Sequence, residues 1–167
     1  DRDVALAARA WVLAIDGRAA EALPLIDEAI RLNPENAFYY SVRAGAQADR
    51  ARAWEDFEHA LRIRPNDFQL LLTLGHYCDT RGDGERAAWY YDRALAFDPG
   101  SFTVLAYRAK TRQMMGDFDG AESDYRRALE AEPDSDLLHY YLGHLLFLSG
   151  DPAAAATEMS RAIEIMG

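Results

Sequence analysis

Four histidines (His59, His76, His139 and His144), one cysteine (Cys78) and one lysine (Lys110) are the residues from which this chain would first assemble a nucleophilic, acid–base or metal site. No two histidines stand four residues apart, the spacing that puts two imidazoles on one helix face for zinc. Glu55 and His59 are one helical turn apart and read as a solvated pair rather than as two metal ligands. The run Asp79-Thr80-Arg81-Gly82-Asp83-Gly84 has the outline of a calcium loop, but Arg81 stands where an oxygen ligand is needed and the closing glutamate is absent. No glycine loop followed by lysine is present to cradle phosphate, and no serine or cysteine has a histidine in register. The expectation is a non-catalytic segment with no metal and no cofactor.

The elements that must position these residues are written as a repeat. Pro34, Pro65, Pro99 and Pro133 follow Ala29, Ala60, Ala94 and Ala128, and the prolines lie 31, 34 and 34 residues apart. A fixed period near 34 predicts a solenoid of paired helices, here in segments 3–36, 37–67, 68–101, 102–135 and 136–167 of one domain spanning 1–167. Each second helix carries a buried stripe at one-face spacing: Ala22, Ala53, Ala87, Ala121 and Ala155, then Ile26, Phe57, Tyr91, Tyr125 and Met159. One turn further come Ala29, Ala60, Ala94, Ala128 and Ala162, each followed by Ile30, Leu61, Leu95, Leu129 or Ile163. Alanines at matching places let two helices approach closely, and the large residues fill the remaining space. Proline then stops the helix, because it cannot continue one. Each first helix has its own small contact residue, namely Ala10, Ala44, Gly75, Ala109 or Gly143. In four segments the two helices are joined at a glycine: Gly17-Arg18, Gly82-Asp83, Gly116-Asp117 and Gly150-Asp151. Glycine supplies left-handed backbone, and aspartate caps the next helix.

Leu74-Gly75, Gly82-Asp83, Ala87, Tyr91, Ala94 and Pro99 make the third segment resemble a tetratricopeptide repeat, and the resemblance extends over all five segments. It implies an all-α, right-handed superhelical solenoid of five antiparallel helix pairs. Two places depart from the pattern. The second segment is short, with the loss at Gln47 to Arg52 where no glycine occurs, which predicts a first helix one turn shorter or an unusually tight link. The fifth ends at Gly167 rather than in proline, so Met159, Ile163 and Met166 are expected to lack a partner within the chain.

Composition bounds the partners. Apolar residues are 50% of the 167, enough for a continuous helical core. The net charge is −10, from 28 acidic and 18 basic residues, which disfavours nucleic acid and anionic membrane surfaces as partners. The longest apolar stretch, Leu137 to Leu148, is interrupted by His139 and His144 and is too short to span a bilayer. No basic, apolar signal segment opens the chain, so a cytoplasmic location is expected, with periplasm and secretion left open. The absence of an initiator methionine and the uncapped end favour an excerpt of something larger. Cys78 cannot form an internal disulfide and takes the place held by Leu13 and Leu146 in other segments, so it is expected to be buried.

Arg43 and Arg108 occupy a first-helix slot that holds leucine in Leu74 and Leu142, and the facing second-helix slot holds Asp56 and Asp124. Guanidinium–carboxylate pairs across the two helices are predicted. Arg9, at the same slot, faces Leu25 and is expected to point to solvent or to a ligand.

In the family this chain resembles, the first helices line a concave groove. Carried over by position, the groove slots include Trp11, His76, Asp79, Tyr107, Lys110, Gln113, Tyr140, Tyr141 and His144. The family's carboxylate clamp is missing, because its places read Ala7, Trp11, Val42, Gly45, Gln69 and Thr73. Trp11, His76, Tyr107, Lys110, Tyr141 and His144 are therefore the candidate contacts for a protein or extended peptide, the aromatic rings being suited to recognition. A histidine pair on that wall also predicts binding that responds to mild acid. The implied function is a protein-interaction adaptor or scaffold. Two alternatives stay open: a regulatory or substrate-docking array of a larger enzyme or transcription regulator, and a module self-associating through its last helix.

Overall fold

The computed structural model describes residues 1–167. Ten helices and no strand make up the chain. They are α1 (Arg2–Ile15), α2 (Ala19–Leu32), α3 (Ala37–Ala46), α4 (Arg50–Ile63), α5 (Phe68–Asp79), α6 (Gly84–Leu95), α7 (Phe102–Met114), α8 (Phe118–Ala131), α9 (Asp136–Ser149) and α10 (Pro152–Met166). The helices end where the sequence punctuates them. Asn33, Arg64 and Glu132, each just before a proline, have left helical geometry, with ψ of 85°, 81° and 74°. The proline ring disfavours the α conformation in the residue before it. At the turns within segments, Gly17, Gly82, Gly116 and Gly150 have positive φ, between 74° and 94°. The side chains of Asp83, Asp117 and Asp151 then accept from the backbone N–H of Arg86, Gly120 and Ala154, capping α6, α8 and α10.

Two compact units divide the chain, residues 1–73 and 74–167, with the boundary inside α5. In the first unit α1 packs on α2, α3 on α4, and α3 also on α1 and α2. Its core gathers Ala7, Ala10, Leu13, Ala22, Ile26, Ala29, Tyr39, Val42 and Ala46. Tyr39 donates to Asp3 at 2.9 Å and Asn33 donates to the same carboxylate at 3.2 Å, fastening α1 to the helices beyond it. Those hydrogen bonds, Tyr39 foremost, hold the Asp3 carboxyl below its usual value. The missing glycine has the expected effect: α3 is 10 residues long against 14 for α1. Gln47 runs extended (φ −71°, ψ 128°), and Asp49 caps α4 by accepting from Ala51 and Arg52.

In the second unit α7 packs on α8 and α9 on α10, while α6 meets α7 and α8 meets α9. The paired alanine slots do what their spacing implies. All ten, from Ala22 to Ala162 across both units, are at most 2% exposed. Gly75 is a place where even alanine would not fit, since a Cβ there would run into the Tyr91 ring. Cys78 is buried. Met159 corrects an expectation: it is half-buried, because Gly143 leaves room for it against α9. Ile163 and Met166 of the same helix are each 66% exposed.

Both predicted arginine pairs form. Nε and an Nη of Arg43 reach the two oxygens of Asp56 at 2.9 and 2.6 Å, and Arg108 grips Asp124 in the same two-pronged way at 2.8 and 2.6 Å. Each guanidinium has a third contact. Arg43 also donates to Asp27 of α2, and Arg108 to Asp92 of α6. One arginine thus joins three helices, its own first helix and the second helices on both sides. Burial is the largest influence on Arg108 and lowers its pKa, but the hydrogen bonds it donates to Asp124 and Asp92 leave it raised. Hydrogen bonding to Asp56 is foremost in raising that of Arg43.

Candidate functional site

The candidate wall follows from which faces of the first helices are used up by packing. On α7, Val104, Leu105, Arg108, Ala109 and Thr111 are buried, which leaves Tyr107 and Lys110 on the exposed side. On α9, Leu138, Leu142, Gly143, Leu145 and Leu146 are buried, which leaves Tyr140, His144 and Phe147. His76 is the exposed residue of α5 between the buried pairs Leu74–Gly75 and Tyr77–Cys78. Period 3.6 guarantees such a leftover stripe once the opposite stripe is committed to the core.

Ring contacts and hydrogen bonds fix how these residues stand to one another. Tyr107 lies 5.7 Å from the His76 ring and stacks on Tyr91 of α6 at 6.0 Å, with planes 12° apart. One repeat later Tyr141 stacks on Tyr125 of α8, again at 6.0 Å. Tyr140 packs against Tyr141 at 5.8 Å and stacks with His144 at 6.5 Å. Gln113 of α7 shares a hydrogen bond of 3.3 Å with His144 Nδ1. Behind the wall Asp79 accepts from Tyr91 at 2.9 Å and from Thr111 at 2.8 Å, tying α5, α6 and α7 together. Burial, then the Asp79 charge, pushes the Tyr91 phenol well above the ordinary tyrosine range. The Tyr125 phenol is also pushed up, mainly by burial and further by Tyr141. Lys110 is exposed and makes no ion pair.

Of the six candidate contacts, the structure brings five into the second unit on α5, α7 and α9: His76, Tyr107, Lys110, Tyr141 and His144. Trp11 belongs to the first unit, where it stands 49% exposed on α1. Tyr141 is half-buried and serves packing, whereas its neighbour Tyr140 is 52% exposed. The difference follows from Tyr125, which takes one face of the Tyr141 ring. Asp27 and Asp92 were missed by sequence reasoning, although a signal existed: each stands 16 residues before its arginine. Before Leu74 and Leu142 the same interval leads back to Glu58 and Arg126.

No group of three or more histidine, cysteine, aspartate or glutamate side chains is placed to hold a metal ion. No helix is long and apolar enough to cross a membrane.

Residues 108–165 match the family model described as Tetratricopeptide repeat. No curated protein sequence matches the chain. Among solved structures, MamA (residues 41 to the end) from Desulfovibrio magneticus RS-1 is similar over 99% of this chain and 96% of its own, with a TM-score of 0.83 and 18% identity. PilW, titled a widely conserved type IV pilus biogenesis factor, is similar over 98% of this chain and 77% of its own, with a TM-score of 0.83 and 22% identity. YrrB, titled a TPR protein with an unusual peptide-binding site, is similar over 99% and 86%, with a TM-score of 0.73 and 21% identity. At these identities the likeness is one of fold.

Proposed function

We propose that this chain, which matches the tetratricopeptide repeat model over residues 108–165 and shares the fold of MamA, is a non-catalytic interaction adaptor whose second unit holds an extended peptide segment of a partner. One observation carries the reading. Tyr107, Lys110, Tyr140 and His144 stand exposed on consecutive first helices, on the side opposite the buried stripes of α7 and α9. Aromatic rings with polar tips beside a cation and hydrogen-bonding imidazoles suit peptide recognition at an open surface. Such a wall is a strip rather than an enclosed pocket, which favours a chain segment over a metabolite. That YrrB, a protein of like fold, is titled for a peptide-binding site supports the same reading. The test is a screen of labelled peptides against the wild-type chain and the Tyr107→Ala and Tyr140→Ala variants. Affinity is expected to fall by roughly 1–3 kcal/mol at each anchor. Unchanged affinity in both folded variants would move the site elsewhere.

A second reading, self-assembly, is favoured by the outer helices. The four counterparts of Val12 in later repeats, Ala46, Tyr77, Thr111 and Leu145, are buried, whereas Val12 is 50% exposed. The counterparts of Ala5, namely Tyr39, Leu70, Val104 and Leu138, are buried too, and Ala5 is exposed. On α10, Ile163 is exposed where Leu95 is buried and Ile30, Leu61 and Leu129 are half-buried. The α1 face of one copy thus suits the α10 face of another, as successive repeats suit each other within the chain.

A further inference from the structure

His76, Lys110 and His144 occupy the same position of three consecutive first helices, and the interval between neighbours is 34 residues both times. Lys110 is the only lysine of the chain, and this position sets it in line with two imidazoles that can donate hydrogen bonds. All three side chains are exposed. Packing brings the three helices together on this face. Tyr107, three residues before Lys110, touches His76, and Gln113, three residues after it, bonds His144. The nearby carboxylate on α5, Asp79, is already accepting from Tyr91 and Thr111.

Neighbouring helices pack about 8–10 Å apart, so the three donors recur at about that interval across the helices. A polyproline II strand advances about 3.1 Å per residue with three residues per turn, so every third side chain returns to one face about 9 Å further on. A β-strand cannot match this, because its side chains alternate and residues three apart point to opposite faces.

We propose that this column recognises an acidic peptide in polyproline II conformation, with a carboxylate at every third residue laid on His144, Lys110 and His76 in succession. The proposal rests on the reading of this wall as a peptide site and adds the chemistry of the occupant. Carboxylates complement donors of this type, and the exposed rings of Tyr107 and Tyr140 offer apolar area to the residues between them.

Fluorescence anisotropy with four labelled probes tests this. They are a peptide of repeating Glu-Pro-Ala, the same peptide with Gln for Glu, one with the same number of glutamates spaced two residues apart, and a single-stranded oligonucleotide of similar charge. The Glu-Pro-Ala peptide is expected to bind about ten-fold or more tightly than the other three. Lys110→Gln should erase that advantage while leaving the Gln peptide unaffected, and His76→Gln and His144→Gln should each reduce it. Equal affinity for the Glu and Gln peptides, equal affinity for both Glu spacings, an unchanged Lys110→Gln variant, or tighter oligonucleotide binding would overturn the proposal. If the Gln peptide binds as well as the Glu peptide and both are lost in Tyr107→Ala, the wall remains a peptide site and only the acidic chemistry fails. If no peptide binds at all, both readings fail.

Discussion

At the scale of single residues, two positions give sharp tests of the packing. Gly75 is closed in by the Tyr91 ring, whose hydroxyl is held in turn by Asp79, so the ring cannot swing away without losing that bond. Gly75→Ala is expected to cost about 1–3 kcal/mol despite the better helix propensity of alanine, because overpacking outweighs it. Urea unfolding measures this, and a neutral or stabilising result would show that the ring yields freely. The raised phenols of Tyr91 and Tyr125 make a second prediction. A tyrosine whose pKa is raised on folding contributes stability that is complete below about pH 10, the value in the unfolded chain. That contribution is lost as pH rises through the folded-state value. Unfolding free energy should therefore decline as pH is taken above about 10, and Tyr125→Phe should make the decline shallower. A slope unaffected by the substitution would remove Tyr125 from the account.

At the scale of helices, the arginine clamps make the tightest polar joints between repeats. Arg108 is 8% exposed and Asp124 only 1%, and Arg112 also donates to Asp124 at 2.8 Å. Breaking a buried pair from one side leaves a charge without its main partner, at about 3–5 kcal/mol. Arg108→Ala is expected to fall in that range, and Arg43→Ala below it, since the Arg43 side chain is 25% exposed against 10% for Arg108. The third repeat shows the apolar alternative, Leu74 with Tyr90 in the two slots. Combining Arg108→Leu with Asp124→Tyr should recover most of the loss, because exchanging a buried pair for packed apolar groups is close to neutral. Denaturant unfolding of the three variants checks this. A double variant as weak as Arg108→Ala would show that the joint depends on charge itself.

At the scale of the whole molecule, the exposed apolar residues of α1 and α10 predict association of a particular kind. Contact between the α1 face of one copy and the α10 face of the next is heterologous, so it builds rings or filaments rather than a two-fold dimer. Sedimentation is expected to show assemblies that grow with concentration, and Val12→Glu or Ile163→Glu alone should stop growth. Mixing the two variants should yield one-to-one dimers, since each still has one intact face. A mixture that stays monomeric, or a wild-type chain monomeric at high concentration, would refute head-to-tail assembly.

The ten helices, their ends and the small-residue contacts were legible in the sequence because each rests on local chemistry repeated at a fixed period. Pro34 stops α2, Gly82 turns the chain into α6, and Ala87 and Ala94 lie one face apart whatever surrounds them. The Arg43–Asp56 and Arg108–Asp124 pairs were legible too, since arginine and aspartate stand together in the same two slots of both repeats. The common position of His76, Lys110 and His144 was also open to reading, as arithmetic on the period. What only the tertiary structure decided is which neighbour reaches each side chain. Tyr140 and Tyr141 are adjacent aromatic residues of one type, yet Tyr125 covers part of one and leaves the other exposed. Met159 finds a place above Gly143 while Ile163, one turn away, does not. Asp27 and Asp92 became partners only when a third helix closed over the arginine. Period assigns a residue to a face, but burial and pairing depend on what the next helix brings to that face, and that is a property of packing.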